Sequence, residues 1–130
     1  MVSKLKNNSK ATTRLVEREY WEDVFSQAVR DNRKNIVVIE ILDELGDQEL
    51  LRGKWLSSMV PQTKRGKTEI ELTYEHYSWD RPERLTHYVK APVQVWVLER
   101  PNGTAEVFEI ELKGGNKVLV RFLKSEKPAD

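Results

Sequence analysis

Hydrophobic and polar residues alternate in three short runs near the C-terminal end of the chain, at 93–99, 106–112 and 117–123. Between the runs stand Pro101-Asn102-Gly103-Thr104 and Gly114-Gly115-Asn116. Asn-Gly and Gly-Gly reach positive φ at low steric cost, so both breaks predict tight antiparallel hairpins. The same period of two runs through 36–42, with Val37, Ile39 and Ile41 on one face. Val38 and Leu42 predict partial cover on the other face of that strand. Residues 67–74 also alternate, setting Thr68, Ile70, Leu72 and Tyr74 against Lys67, Glu69, Glu71 and Thr73. The period lengthens over 17–32, where Trp21, Val24, Phe25, Ala28 and Val29 fall on one stripe of a helix. Acids early in that segment and Arg30 late suit the helix dipole, and Thr13 is the nearest candidate cap.

The remaining segments carry weaker patterns. Gly53 interrupts 49–60, and Trp55, Leu56, Met59 and Val60 read better as a bulged strand than as a helix. Residues 44–48 form a turn that sets Gln48 towards the core, and 61–66 form a hairpin loop. The polar–aromatic stretch at 74–84 reads as a loop, and 85–89 leads as a strand into Pro92. Residues 1–13 and 124–130 are polar, lack apolar periodicity, and read as disordered tails around one domain at 14–123. The expected fold is α+β: one N-terminal helix packed on a strongly twisted, mostly antiparallel meander sheet or small open barrel of about six strands. The apolar strand at 117–123 is the edge most exposed to pairing with another chain.

Charge narrows the function classes only slightly. Lys and Arg number 22 against 21 Asp and Glu, so the net charge is +1 and no whole-molecule field draws in a polyanion. The chain has no cysteine, which excludes disulfides, thiolate catalysis and iron–sulfur or zinc–thiolate centres. No run approaches the roughly 18 apolar residues of a membrane span. The basic start has no apolar core, so the sequence reads as cytoplasmic with no membrane partner.

Three constellations carry candidate chemistry. Tyr77, Trp79, Arg81, Arg84 and Tyr88 mix rings with guanidinium groups, the residue types that anchor protein interfaces. Lys64, Arg65 and Lys67, with Lys4, Lys6, Lys10 and Arg14 in the tail, supply cations for phosphate contacts. Glu40, Asp43, Glu44, Asp47 and Glu49 crowd one strand end, but their spacing fits no calcium loop and reads as a solvated turn. His76 and His87 lack a third partner at metal-ligand spacing, and neither a phosphate loop nor a nucleophile elbow is present. No cofactor or metal is implied, and nothing in this inventory argues for an enzyme.

Trp21 with Phe25, the Glu44-to-Gln48 string, Trp55-Leu56, and His87 before Pro92 together resemble a family of small uncharacterised bacterial proteins. That resemblance spans 14–123 and implies no activity or catalytic residue. The expectation from sequence is therefore a non-enzymatic protein-interaction or regulatory module, self-associating or held by a protein partner. A nucleic-acid-binding small barrel is the alternative, and a small-ligand or minor enzymatic role in the concave sheet face, using His76 and His87, is a third.

Overall fold

In a computed structural model of the chain, the glycine turns close where the alternation breaks. The structure describes residues 11–53, 55–78 and 81–124, with backbone alone at Tyr77 and Ser78. The three C-terminal runs become β7 (Pro92–Glu99), β8 (Ala105–Leu112) and β9 (Lys117–Leu123). Gly103 at the first turn has φ of 89°, and Gly114 and Gly115 at the second have 102° and 103°, conformations that L side chains rarely adopt. Asn102 braces its turn by accepting from the Thr104 amide (3.0 Å) and hydroxyl (2.7 Å).

Before these lie β1 (Thr12–Val16), a 3₁₀ turn (Arg18–Tyr20), α1 (Trp21–Asp31), β2 (Ile36–Asp43) and β3 (Gly46–Gly53). Then come β4 (Trp55–Lys64), β5 (Lys67–Ser78) and β6 (Arg81–Lys90). Six strands pair in the order β1-β7-β8-β9-β2-β3, and three in the order β4-β5-β6. Every pairing is antiparallel. The architecture is thus mostly β with one short helix, in two sheets that do not close into a barrel.

Several expectations change. Nine strands stand where about six were expected, because β1 and β3 are largely exposed and carry no clean alternation. Thr12 and Thr13, placed in the tail by sequence, pair with Glu99 and Leu98; residues 1–10 of that tail lie outside the described residues. The supposed edge strand at 117–123 is interior, held between β8 and β2. The described part of the stretch at 74–84 is no loop: β5 continues to Ser78, and β6 pairs with it from Arg81 back to Lys90. Gln48 is exposed rather than turned to the core. The segment at 49–60 is extended, but it belongs to two strands of two different sheets.

Gly53 stands at that crossing for a steric reason. A Cβ there would lie 2.7 Å from Tyr74 Cδ2 and 3.1 Å from the Glu75 carbonyl oxygen. Only a residue without a side chain lets β3 pass so close to β5.

The two sheets and α1 share one hydrophobic cluster. The larger sheet contributes Val37, Ile39, Val95, Val97, Phe108, Ile110, Val120 and Phe122, and the smaller contributes Leu56, Met59, Ile70, Leu72, Tyr74 and Val89. The predicted helical stripe supplies Trp21, Phe25 and Ala28, with Val24 and Val29 packed at the margin. Phe25 meets Phe108 edge-on at 5.2 Å, and Phe108 meets Phe122 edge-on at 6.3 Å. Edge-to-face geometry is what the ring quadrupoles favour.

The end of α1 is fixed by polar groups. Asn32, 1% exposed, donates from Nδ2 to the Ala28 carbonyl (2.9 Å) and the Ala105 carbonyl (3.0 Å). Its Oδ1 accepts from Asn35 (2.7 Å) and from Arg100 Nη1 (3.2 Å). Arg100 also donates to the Ala105 carbonyl (2.9 Å), Thr104 Oγ1 (3.1 Å) and the Phe122 carbonyl (3.0 Å). One amide and one guanidinium thereby tie the helix C-terminus to the β7–β8 turn and to β9. Removing either side chain takes several hydrogen bonds out of this buried and part-buried network. We expect Asn32→Ala and Arg100→Met each to lower unfolding free energy by about 2–4 kcal/mol. Urea denaturation of the two variants and of their double variant checks this, and the double should cost less than the sum.

Candidate anion-binding cleft

The β4–β5 hairpin turns over only two residues, since Lys64 pairs directly with Lys67 across Arg65 and Gly66. This tip projects at the end of the smaller sheet and forms one wall of a cleft of about 980 Å³. Arg18 of the 3₁₀ turn forms a second wall. Lys90 and the corner where the chain crosses from β6 to β7 form a third, and Lys113 in the β8–β9 turn completes it. Six cations therefore line the cleft, with Glu69 as the carboxylate among them. Val93, 56% exposed, and Pro92 give it an apolar side.

Each wall has a local cause. Trp21 donates from Nε1 to the Val16 carbonyl (3.0 Å), which fixes the 3₁₀ turn against β1. The Arg18 guanidinium lies over the Trp21 ring, 4.9 Å from its centroid, and Nη2 donates to Thr68 Oγ1. Stacking on a buried indole restricts a side chain that otherwise samples many rotamers. Ala91 turns the chain between sheets with φ of 56°, and its carbonyl accepts from the Lys113 amide at 2.9 Å. That bond brings the β8–β9 turn up to the cleft.

The ion pairs among the described residues engage carboxylates outside the cleft. Ion pairs join Arg121 to Glu40 (2.8 Å), Arg14 to Glu99 (3.1 Å), Arg84 to Glu75 (3.0 Å), Lys117 to Glu109 (3.1 Å) and Arg52 to Glu49 (3.0 Å). None of the six cleft cations forms an ion pair with another described residue. A chain of net charge +1 thus concentrates positive charge at one end. A concave wall of one sign focuses the field and attracts counter-charge.

The structure sorts the sequence candidates. It brings Lys64, Arg65 and Lys67 together with Arg18, Lys90 and Lys113, which the sequence reading missed because they are remote along the chain. Arg14 is not among them, being paired to Glu99 on β7, and Lys4, Lys6 and Lys10 lie outside the described residues. Trp79 and the Tyr77 side chain also lie outside the description. Arg81 is exposed on β6, Arg84 is held by Glu75, and Tyr88, 42% exposed, donates to Glu71 at 3.4 Å. Tyr74 is buried in the core, and burial pushes its hydroxyl pKa up. Of the acidic strand end, Glu40 and Glu49 pair with arginines and Asp43 accepts the Leu45 amide (2.8 Å). Among the described residues no group of three or more His, Asp or Glu is placed to share a metal ion. No helix among them is long and apolar enough to cross a membrane.

A second, smaller hollow of about 230 Å³ lies on the outer face of the larger sheet, between Trp96, Leu98, Val107 and Leu119. Neither His76 nor His87 lines either hollow. Comparison with known proteins gives no matching family, no matching curated protein and no matching solved structure. The functional reading therefore rests on the cleft itself.

His87 is half-buried on β6 opposite Leu72, and that burial lowers its pKa from the ordinary 6.5. The folded state thus binds fewer protons there than the unfolded chain in the window just below pH 6.5. Stability from this group is complete above that pH and declines as pH falls through it. We expect His87→Gln to flatten the loss of urea midpoint between about pH 7.5 and 5.5, measured against the unsubstituted protein.

Proposed function

We propose that the protein is a non-enzymatic nucleic-acid-binding module that holds the phosphodiester backbone in its basic cleft. The observation that carries this reading is the convergence of Arg18, Lys64, Arg65, Lys67, Lys90 and Lys113 without paired acids. Ammonium and guanidinium groups gain most from a ligand that carries many closely spaced negative charges, because binding releases its condensed counterions. No aromatic ring is among the described residues that line the cleft, so the ligand is gripped by phosphates and not by stacked bases. Such binding is insensitive to base sequence.

The expected measurement is fluorescence anisotropy of a labelled single-stranded oligonucleotide of about 12 residues, titrated at several salt concentrations. The affinity should fall linearly with log salt, with a slope of about −2 to −4 for three to five phosphate contacts at ~0.7 each. Lys67→Gln and Lys113→Gln should each reduce the slope by ~0.7 and weaken binding roughly 3- to 10-fold at low salt. Oligonucleotides of different base composition should bind within a few-fold of one another. Binding that ignores salt, or none at low salt, rules the reading out.

A second reading is pairing of β6 with a strand of a protein partner or of another copy. It is favoured by the position of β6 at the edge of the smaller sheet, with Leu85 39% and Tyr88 42% exposed. Its mark is a molecular mass in sedimentation that rises with concentration and returns to the monomer in a Leu85→Lys variant.

A further inference from the structure

Among the described residues, two that are not glycine have positive φ: Arg65 at 52° and Ala91 at 56°. Both line the basic cleft. Positive φ crowds a Cβ against the neighbouring carbonyl oxygen, so such residues persist where something else holds them. At Ala91 the cause is visible, since the corner must carry the chain from one sheet to the other and present its carbonyl to Lys113. At Arg65 the two-residue turn itself sets the positive φ, but nothing in the turn calls for an arginine. The hairpin needs two residues with positive φ, and Gly66, at 76°, is one. The favoured partner before that glycine is Asn, Asp or Gly, whose short or absent side chains tolerate the left-handed region. Arginine is not in that group.

The tip carries a second unfavourable feature. Lys64 and Lys67 are direct cross-strand partners, and like charges in that position repel. Three of the four residues at the tip are thus cations, in a geometry that neither the turn nor the ladder favours. Sites where a local rule is broken without a local gain are where function is expected. From this we infer that Arg65 is a phosphate-contacting residue, kept at a turn position that disfavours it because the tip reaches a polyanion there. The bound polyanion would relieve the repulsion between Lys64 and Lys67 and give the planar guanidinium a two-pronged acceptor in the phosphate oxygens. This rests on the nucleic-acid reading of the cleft and adds to it one residue with an opposed effect on stability and binding.

The test compares the full chain with Arg65→Asn and Arg65→Gln. Asn restores the favoured turn residue and removes the charge; Gln removes the charge and leaves a long side chain in place. Thermal melting without ligand and anisotropy with the labelled single strand are read on all three. Arg65→Asn should melt roughly 1–3 °C higher than the unsubstituted protein while binding roughly 3- to 10-fold more weakly, with a salt slope reduced by ~0.7. Arg65→Gln should show the same loss of binding without the gain in melting temperature. An Asn variant that melts no higher, or that binds as tightly as the parent, overturns the inference. If the parent binds and Lys67→Gln weakens it while Arg65→Asn does not, the cleft reading stands and only the role of Arg65 falls. If the parent does not bind at about 20 mM salt, both fall together.

Discussion

The hydrogen-bonded node of Asn32 and Arg100 is the constraint on which the rest of the molecule depends. A helix of eleven residues is too short to be stable alone, and its place is set by what its ends and its apolar face meet. The face meets the core through Trp21, Phe25 and Ala28. The C-terminal end meets the larger sheet through Asn32, whose amide bonds at once to the helix, to β8 and to Arg100. With both fixed, α1 can lie in only one register between the sheets. Its leading turn then sets Arg18 beside the β4–β5 hairpin, where Nη2 donates to Thr68 Oγ1.

The cleft is consequently a product of topology more than of any one segment. Its cations come from the 3₁₀ turn, the β4–β5 tip, the end of β6 and the β8–β9 turn. They converge because the chain changes sheets at Ala91 and because the Ala91 carbonyl holds the amide of Lys113. The near-zero net charge conceals this. Acids number 21 against 22 bases, but five ion pairs engage carboxylates away from the cleft. Segregation of charge, not its sum, is what a polyanion would encounter.

How much of this was legible depended on which physical signal each element carries. The helical stripe and the β7–β9 meander follow directly from periodicity and glycine turns, and both stand where the pattern places them. β1 was missed, and β3 was read only from Glu49 onward and as one strand with β4, because most of their residues face solvent and burial imposes no alternation on them. The stretch at 74–84 was misread because Ser78, Asp80 and Pro82 are turn formers and no apolar alternation runs through it; its cross-strand pairing is a long-range fact with no local signature. The interior position of β9 was likewise hidden, since pairing with β2 joins residues far apart in the chain. Half of the cleft was visible as Lys64, Arg65 and Lys67. Arg18, Lys90 and Lys113 were not, because proximity in space between remote cations leaves no mark in one sequence.

The most direct test of the account is the amide spectrum of isotopically labelled protein, recorded by NMR while a single-stranded oligonucleotide is added at low salt. The account predicts shifts concentrated at Arg18, at the β4–β5 tip from Lys64 to Thr68, at Lys90, Ala91 and Val93, and at Lys113. Shifts that fall instead on β6 or on the outer face of the larger sheet, or a spectrum that does not change, would contradict it.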